Sequence, residues 1–189
     1  MKLARFFFSL VLKAKRMKYR LLSDVKITGE KPEIFHPTLI SGTGSVEFGN
    51  GVKLGYHEAA GYYSGYSLIN VRRGSRVFIG DNVHINNNFC IYADISSVTI
   101  LRGTLIGTNV TIANSDFHSP DPKKRRAAGE YATADIHIGK DVWIGSRTWI
   151  GKGVSIGNGS VIAACSLVTN NIPAGEVWGG IPARFIKKI

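Results

Sequence analysis

Residues 138–173 read IGKDVW, IGSRTW, IGKGVS, IGNGSV, IAACSL and VTNNIP. Each block has six residues and opens on an aliphatic side chain: Ile138, Ile144, Ile150, Ile156, Ile162 and Val168. Glycine follows four of these leads, as Gly139, Gly145, Gly151 and Gly157. A period of six fits neither the about 3.6 residues of a helical turn nor the alternation of a lone strand. It marks a repeat architecture. Each block reads as a short extended piece followed by a bend, with the lead pointing inward. Four places after each lead come Val142, Thr148, Val154, Ser160, Ser166 and Ile172, small or β-branched residues that fill the same interior edge. The glycine after the lead is expected to supply the bend, through backbone angles closed to other residues. Three blocks close one triangular coil. A single coil cannot bury its inner face, so stability must come from stacking coils into a continuous aliphatic column.

The period continues upstream with breaks, through Phe48 and Leu54, then Ile79, Ile85 and Ile91, then Ile100, Ile106 and Ile112. These leads predict between four and five coils, and the ragged stretch 56–77 has room for more. Over roughly residues 45–189 the blocks resemble the hexapeptide-repeat acyltransferases. The resemblance implies an all-β fold, a left-handed parallel β-helix of stacked triangular coils, which is an exception to the right-handed crossover rule. It also implies a homotrimer. A purely structural or ice-binding β-helix is the alternative that a repeat alone leaves open.

The chain has 189 residues, enough for one domain with a sizeable core. Cys90 and Cys165 are too few for a disulfide scaffold and are expected as buried or shielded thiols. Their spacing suggests no metal site, and a reducing, cytoplasmic setting is compatible with them. The net charge is +11 and unevenly placed. Seven bases and no acid fall in the first twenty residues; Lys123, Lys124, Arg125 and Arg126 form a second cluster, and Arg184, Lys187 and Lys188 a third. Such patches attract nucleotide phosphates, polyanions or anionic membrane surfaces. Nucleic acid is disfavoured as a partner, because a β-helix offers no groove-reading helix and no binding motif is present.

Residues 1–22 form a segment distinct from the β-helix domain of residues 23–189. Leu3, Phe7, Leu10, Ala14, Met17 and Leu21 recur at helical spacing and predict one apolar helix face. The apolar run 6–12 is too short to span a bilayer, and no small-residue cleavage site follows it. Two readings stand. The apolar face packs on the base of the β-helix and caps its open edge, or it lies in the membrane interface with the bases on lipid phosphates, as a peripheral contact.

Register is lost after Ile112 and regained at Ile138. Between them residues 114–135 read NSDFHSPDPKKRRAAGEYATAD, a polar excursion of the kind that carries function. The string DFHSPDP before IGKDVWIG resembles the loop of the sugar O-acetyltransferases, most closely those acting on bacterial surface polysaccharides. That resemblance makes His118 the catalytic base. Ser119 stands where a proline usually follows the histidine, with Pro120 next. The chemistry agrees independently: moving an acetyl group from a thioester to a hydroxyl needs a base, and imidazole titrates near neutral pH. Asp116, two residues away, is expected to orient or support the ring.

The same resemblance assigns further positions. Asn88 would meet the acceptor, with Asn86 and Asn87 as turn or ladder residues. The Ser146 N–H would bind the thioester oxygen as charge develops, and Trp143 would wall the acceptor site, whereas Trp149 is expected at packing or surface. In the donor groove, Ala163 and Ala164 would let pantetheine lie close to the backbone. Thr169 and Asn170 would form the rim, and Arg184 and Lys187 would meet the nucleotide phosphates of coenzyme A, on a short C-terminal tail. The resemblance thus implies an O-acetyltransferase taking acetyl-CoA and a saccharide acceptor, without a metal. Transfer to a sugar amine, a zinc hydratase of the γ-carbonic anhydrase type and a non-catalytic binding β-helix are the competitors. The hydratase would need three converging histidines, and His84, His118 and His137 lack that pattern.

Overall fold

In a computed structural model, which describes residues 2–57, 59–127 and 129–189, with side chains described from residue 7 onward, the chain is a left-handed parallel β-helix with a helix, Lys2–Leu22, at its N-terminal end. Three sheets form its faces. Face 1 runs from strand Lys26–Gly29 to Ser155–Ile156, face 2 from Glu33–Ile34 to Ala183–Lys188, and face 3 from Thr38–Gly42 to Leu167–Val168. Faces 1 and 3 have six strands each, so the chain completes six coils. The periodicity missed the first. Its leads on faces 2 and 3 are Ile34 and Ile40, but on face 1 Gly29 occupies the position that pairs with Phe48.

The leads stack in register. On face 1 the column runs Phe48, Ile79, Ile100, Ile138, Ile156; on face 3 it runs Ile40, Ile69, Ile91, Ile112, Ile150, Val168. All are buried, as are the residues four places after each lead in the regular stretch. Each coil donates its backbone hydrogen bonds to the next, so the column satisfies its polar groups while burying its apolar ones.

Most glycines after the leads have a different purpose from the one expected. None of Gly139, Gly145, Gly151 or Gly157 has a positive φ, whereas Gly55, which follows the lead Leu54, does, at 91°. Three of the four are held by proximity: a Cβ would stand 2.8 Å from the Asn158 nitrogen at Gly139, 2.4 Å from that of Ala164 at Gly145 and 2.3 Å from that of Ala174 at Gly157, whereas at Gly151 the nearest atom is 3.4 Å away. The corners bring adjacent coils too close for a side chain there. Left-handed backbone falls instead at other corner positions, held by Asn88, Asn109, Asp141, Arg147 and Cys165.

The N-terminal helix packs on strand Thr38–Gly42 of the first coil. Leu12 is buried and Val11 and Tyr19 are half-buried, Tyr19 stacking on Tyr66, while the predicted stripe is not buried. Phe7, Leu10, Ala14, Met17 and Leu21 are all exposed; the side chain of Leu3 lies outside the described residues. Cys165 is exposed as well, against expectation, while Cys90 is half-buried in its strand. At the other end the expected tail is a strand: Ala183–Lys188 returns antiparallel along Glu176–Gly180 and extends face 2.

Candidate active site

Two excursions leave the coils. The first, residues 56–66, departs between faces 2 and 3 of the second coil and is tied down by buried polar groups. The His36 ring is fully buried. Its Nδ1 accepts from Ser67 Oγ at 3.1 Å, and Nε2 donates toward the carbonyls of Gly61 and Ser64 at 3.2 and 3.3 Å. Burial lowers the pKa of His36, against the opposing effect of those carbonyls. Asn87, also fully buried, bonds Tyr56 through both its amide oxygen and its amide nitrogen.

The second excursion leaves strand Thr111–Ala113 on face 3 and re-enters at Ile136–Ile138 on face 1. Its neck is closed by Asn114, which donates to Ser96 O at 2.7 Å and accepts from Asp94 N at 2.8 Å. Farther along, Tyr131 donates to the buried carboxylate of Asp94, which the Arg73 fork grips at 2.6 and 2.8 Å. Burial pushes the Asp94 pKa up, but the hydrogen bonds from Arg73 and Tyr131 together hold it below the usual range. The pair thus remains ionised and clamps the loop's returning arm.

Within this frame Phe117 adopts a positive φ of 63°, a costly conformation for an aromatic residue and one that clusters at functional positions. It sets the turn that presents His118 beside the outer surface of face 3. The His118 Nδ1 lies 3.0 Å from the carbonyl oxygen of Arg125. A carbonyl only accepts, so Nδ1 carries the hydrogen of the neutral ring and Nε2 keeps the lone pair. Arg125 is itself tied back to Pro120 O at 2.9 Å, which fixes the loop tip. A groove of about 510 Å³ opens beside the ring, lined by Arg72, Cys90, Tyr92, Thr111, Phe117 and Trp149. Burial raises the Cys90 and Tyr92 pKa values, so both stay neutral at physiological pH.

At the corner between faces 2 and 3, Ser146 Oγ accepts from Thr108 N at 3.1 Å and its carbonyl accepts from Cys165 N at 2.9 Å. Its own N–H has no hydrogen-bond partner among the described residues. Ala163 and Ala164 occupy the same corner one coil on, and the absence of a side chain at Gly145 lets the two turns meet.

The model of the bacterial transferase hexapeptide family (six repeats) matches residues 135–170. Galactoside O-acetyltransferase of Escherichia coli is 42% identical over 116 residues, 61% of this chain and 56% of that protein, so this chain matches about half of that relative's length. The putative lipopolysaccharide biosynthesis O-acetyl transferase WbbJ of Escherichia coli is 33% identical over 184 residues, covering 89% of this chain and 87% of that protein. This chain belongs to the hexapeptide-repeat acyltransferases. Among solved structures, the acetyltransferase VCA0836 of Vibrio cholerae in complex with acetyl coenzyme A superposes with a TM-score of 0.57 at 29% identity, over 93% of this chain and 77% of that one.

As a hexapeptide-repeat acyltransferase, the molecule distributes the anticipated residues over several surfaces. Ser146, Ala163 and Ala164 share one corner. Asp116 does not touch the His118 ring: its carboxylate pairs with Lys152 at 2.7 Å, and the Arg125 carbonyl orients the imidazole instead. Trp143 projects from face 2, where it lines a groove of about 500 Å³ with Lys53, His84, Asn86 and Leu105. The tryptophan beside His118 is Trp149, which also borders a hollow with Asp116, Lys152, Leu167 and Thr169. Thr111, Trp149 and Leu167 stack in register, so counting from the face 3 strands would have found it. Asn88 sits at the corner under the first excursion, with its buried amide oxygen unpartnered among the described residues. Asn170 is exposed beyond the face 3 strand, and Arg184 and Lys187 lie on the last strand of face 2. His84 and His137 belong to faces 2 and 1, so they do not converge with His118 within the chain.

Proposed function

We propose that the protein transfers an acetyl group from acetyl-CoA to a hydroxyl of a carbohydrate, in the assembly of a bacterial surface polysaccharide such as an O-antigen or capsule. The observation that carries this reading is the placement of His118, whose Nδ1 lies 3.0 Å from the Arg125 carbonyl oxygen and whose Nε2 has no partner among the described residues. Nε2 takes the proton of the acceptor hydroxyl as its oxygen attacks the acetyl carbonyl carbon. The Ser146 N–H donates to the oxygen on which negative charge gathers, a contribution of typically 100-fold or more in rate. The carbon–sulfur bond then breaks, and the imidazolium returns its proton to the departing thiolate. Transfer is direct, since no serine or cysteine stands in a nucleophile elbow.

Ala163 and Ala164 suit a pantetheine arm lying close to the backbone beside Ser146, with Thr169 and Asn170 at the rim. Arg184 and Lys187 supply charge for the phosphates. Trp143 and Asn88 serve the acceptor, and Asp116 steadies the loop through Lys152. Because Trp143 and His118 occupy different faces of one chain, the working site joins the face 3 of one copy to the face 2 of the next, in a trimer of the β-helix domain 23–189. The nature of WbbJ supports the acceptor class, and the acetyl coenzyme A complex of VCA0836 supports the donor. Since acetyl-CoA is a cytoplasmic thioester, the reaction belongs on that side of the membrane.

The test is calorimetric titration with acetyl-CoA together with thioester turnover, for wild type and His118→Ala. Binding by both proteins with turnover by wild type alone is expected. If neither binds acetyl-CoA, the acyltransferase reading fails and a non-catalytic binding β-helix replaces it.

A further inference from the structure

The N-terminal helix uses one side to hold the body and leaves the other side apolar. On the packed side Leu12 is buried, Tyr19 stacks on Tyr66 at 4.6 Å, and Phe8 meets Tyr63 edge-on at 5.9 Å. Opposite it, Phe7 is 63% exposed, Leu10 47%, Met17 54% and Leu21 77%. With Ala14, these residues fall within about 80° of arc at roughly 100° per residue. Lys13 and Arg20 border the stripe on one side and Lys18 on the other. The first acid of the chain is Asp24, beyond the helix.

From this arrangement we infer that the helix docks the protein on an anionic lipid bilayer, with the Phe7–Leu21 stripe sunk among the acyl chains and the bordering bases on lipid phosphates.

Charge decides the occupant. A second copy of the helix would bring another seven bases against the first seven, with no acid to offset them. An anionic bilayer supplies both partners that the surface lacks, hydrocarbon for the stripe and phosphate for its borders. The surface also continues beyond the helix. Met17 and Arg20 form one wall of an apolar groove of about 680 Å³ whose other wall includes Ile27, Ile34 and Lys31 of the first coil. No helix among the described residues is long and apolar enough to cross a membrane, so the contact is one of lying in the interface. The inference does not rest on acetyl transfer.

The experiment is flotation of the full-length protein with vesicles of phosphatidylcholine alone and of phosphatidylcholine with phosphatidylglycerol, at low and high salt. The comparison variant is Leu10→Gln/Met17→Gln/Leu21→Gln, which keeps the charge and a good helix former at each position. These side chains are exposed, so its melting temperature should equal that of wild type. The wild type should float with the anionic vesicles, less so at high salt, and the variant should partition at least tenfold more weakly. Absence of wild-type flotation overturns the inference. So does equal flotation of the variant, which would reduce the contact to adsorption of bases. Loss of an oligomer in the variant, with no flotation by either protein, would assign the stripe to a second copy instead.

Discussion

Two histidines organise the two excursions, and the fold treats them in opposite ways. His36 is sealed beneath residues 56–66 with both ring nitrogens engaged. His118 stands exposed on residues 114–135, with Nδ1 fixed and Nε2 without a partner among the described residues. A ring whose two nitrogens are satisfied is a strut, because its proton cannot be exchanged without opening the structure. A ring held by one nitrogen is oriented and still basic at the other. Position in a loop does not separate the two cases; the count of engaged nitrogens does.

Substitution should separate them by orders of magnitude. His118→Ala is expected to lower acetyl transfer by about 100- to 10,000-fold, the usual contribution of a positioned base, with an unchanged melting temperature. His36→Ala should do the reverse. It leaves a cavity, the Ser67 hydroxyl and two carbonyls without a partner, for about 2–4 kcal/mol of stability, while transfer per folded molecule stays within a few-fold. Steady-state kinetics and denaturant melts on both variants decide it. A His36 variant that folds normally but is inactive would erase the contrast.

The two kinds of anchoring can be compared next. Ile138→Ala removes a lead from the middle of the face 1 column and should cost about 2–5 kcal/mol in a cooperative melt. Tyr131→Phe removes one hydrogen bond to the ionised Asp94 of the clamp, for about 1.5–3 kcal/mol. Its effect should be local: faster tryptic cleavage within the basic run 123–126 and little change in the global melt. If Tyr131→Phe lowers the global melt as much as Ile138→Ala does, the excursion is part of the cooperative core and not an appendage pinned to it.

How far the sequence discloses all this depends on the distance between the partners. The leads are legible because an inward position accepts one class of side chain, so Ile138 to Val168 declare the column by themselves. His118 is legible from its flanks, DFHSPDP and the resumed repeat. Its tautomer is not, since Arg125 enters through a backbone carbonyl that any residue would offer. Trp143 and Trp149 hold the same place in successive blocks, and only the assignment of blocks to faces tells which one borders the base. Asp116 is two residues from His118, yet its carboxylate pairs with Lys152, thirty-six positions away. The corner glycines mislead for a similar reason: the atoms that exclude a side chain at Gly145 belong to Ala164 in the next coil. In the helix the pattern reports an apolar stripe, but the side turned to the body is the opposite one, with Leu12 buried and Tyr19 stacked on Tyr66.

The smallest expected effect is also the one that reads both excursions at once, through pH. Burial depresses the His36 pKa below its ordinary 6.5, so the unfolded segment takes up a proton before the folded one does. Its contribution to stability is therefore complete above about pH 6.5 and declines as the pH falls through the depressed folded value. Asp94 is also depressed, below an ordinary 3.8, by Arg73 and Tyr131 acting against burial. The stability it lends is complete above 3.8 and declines only below that. Between these two limits the first excursion should loosen while the second holds. Amide hydrogen exchange, corrected for intrinsic rates, should show protection falling in residues 56–66 between pH 7 and pH 5, with residues 114–135 unchanged. Equal loss in both would mean that acid acts through the +11 net charge on the whole stack, and the opposed pKa limits of His36 and Asp94 would then no longer explain the difference between the excursions.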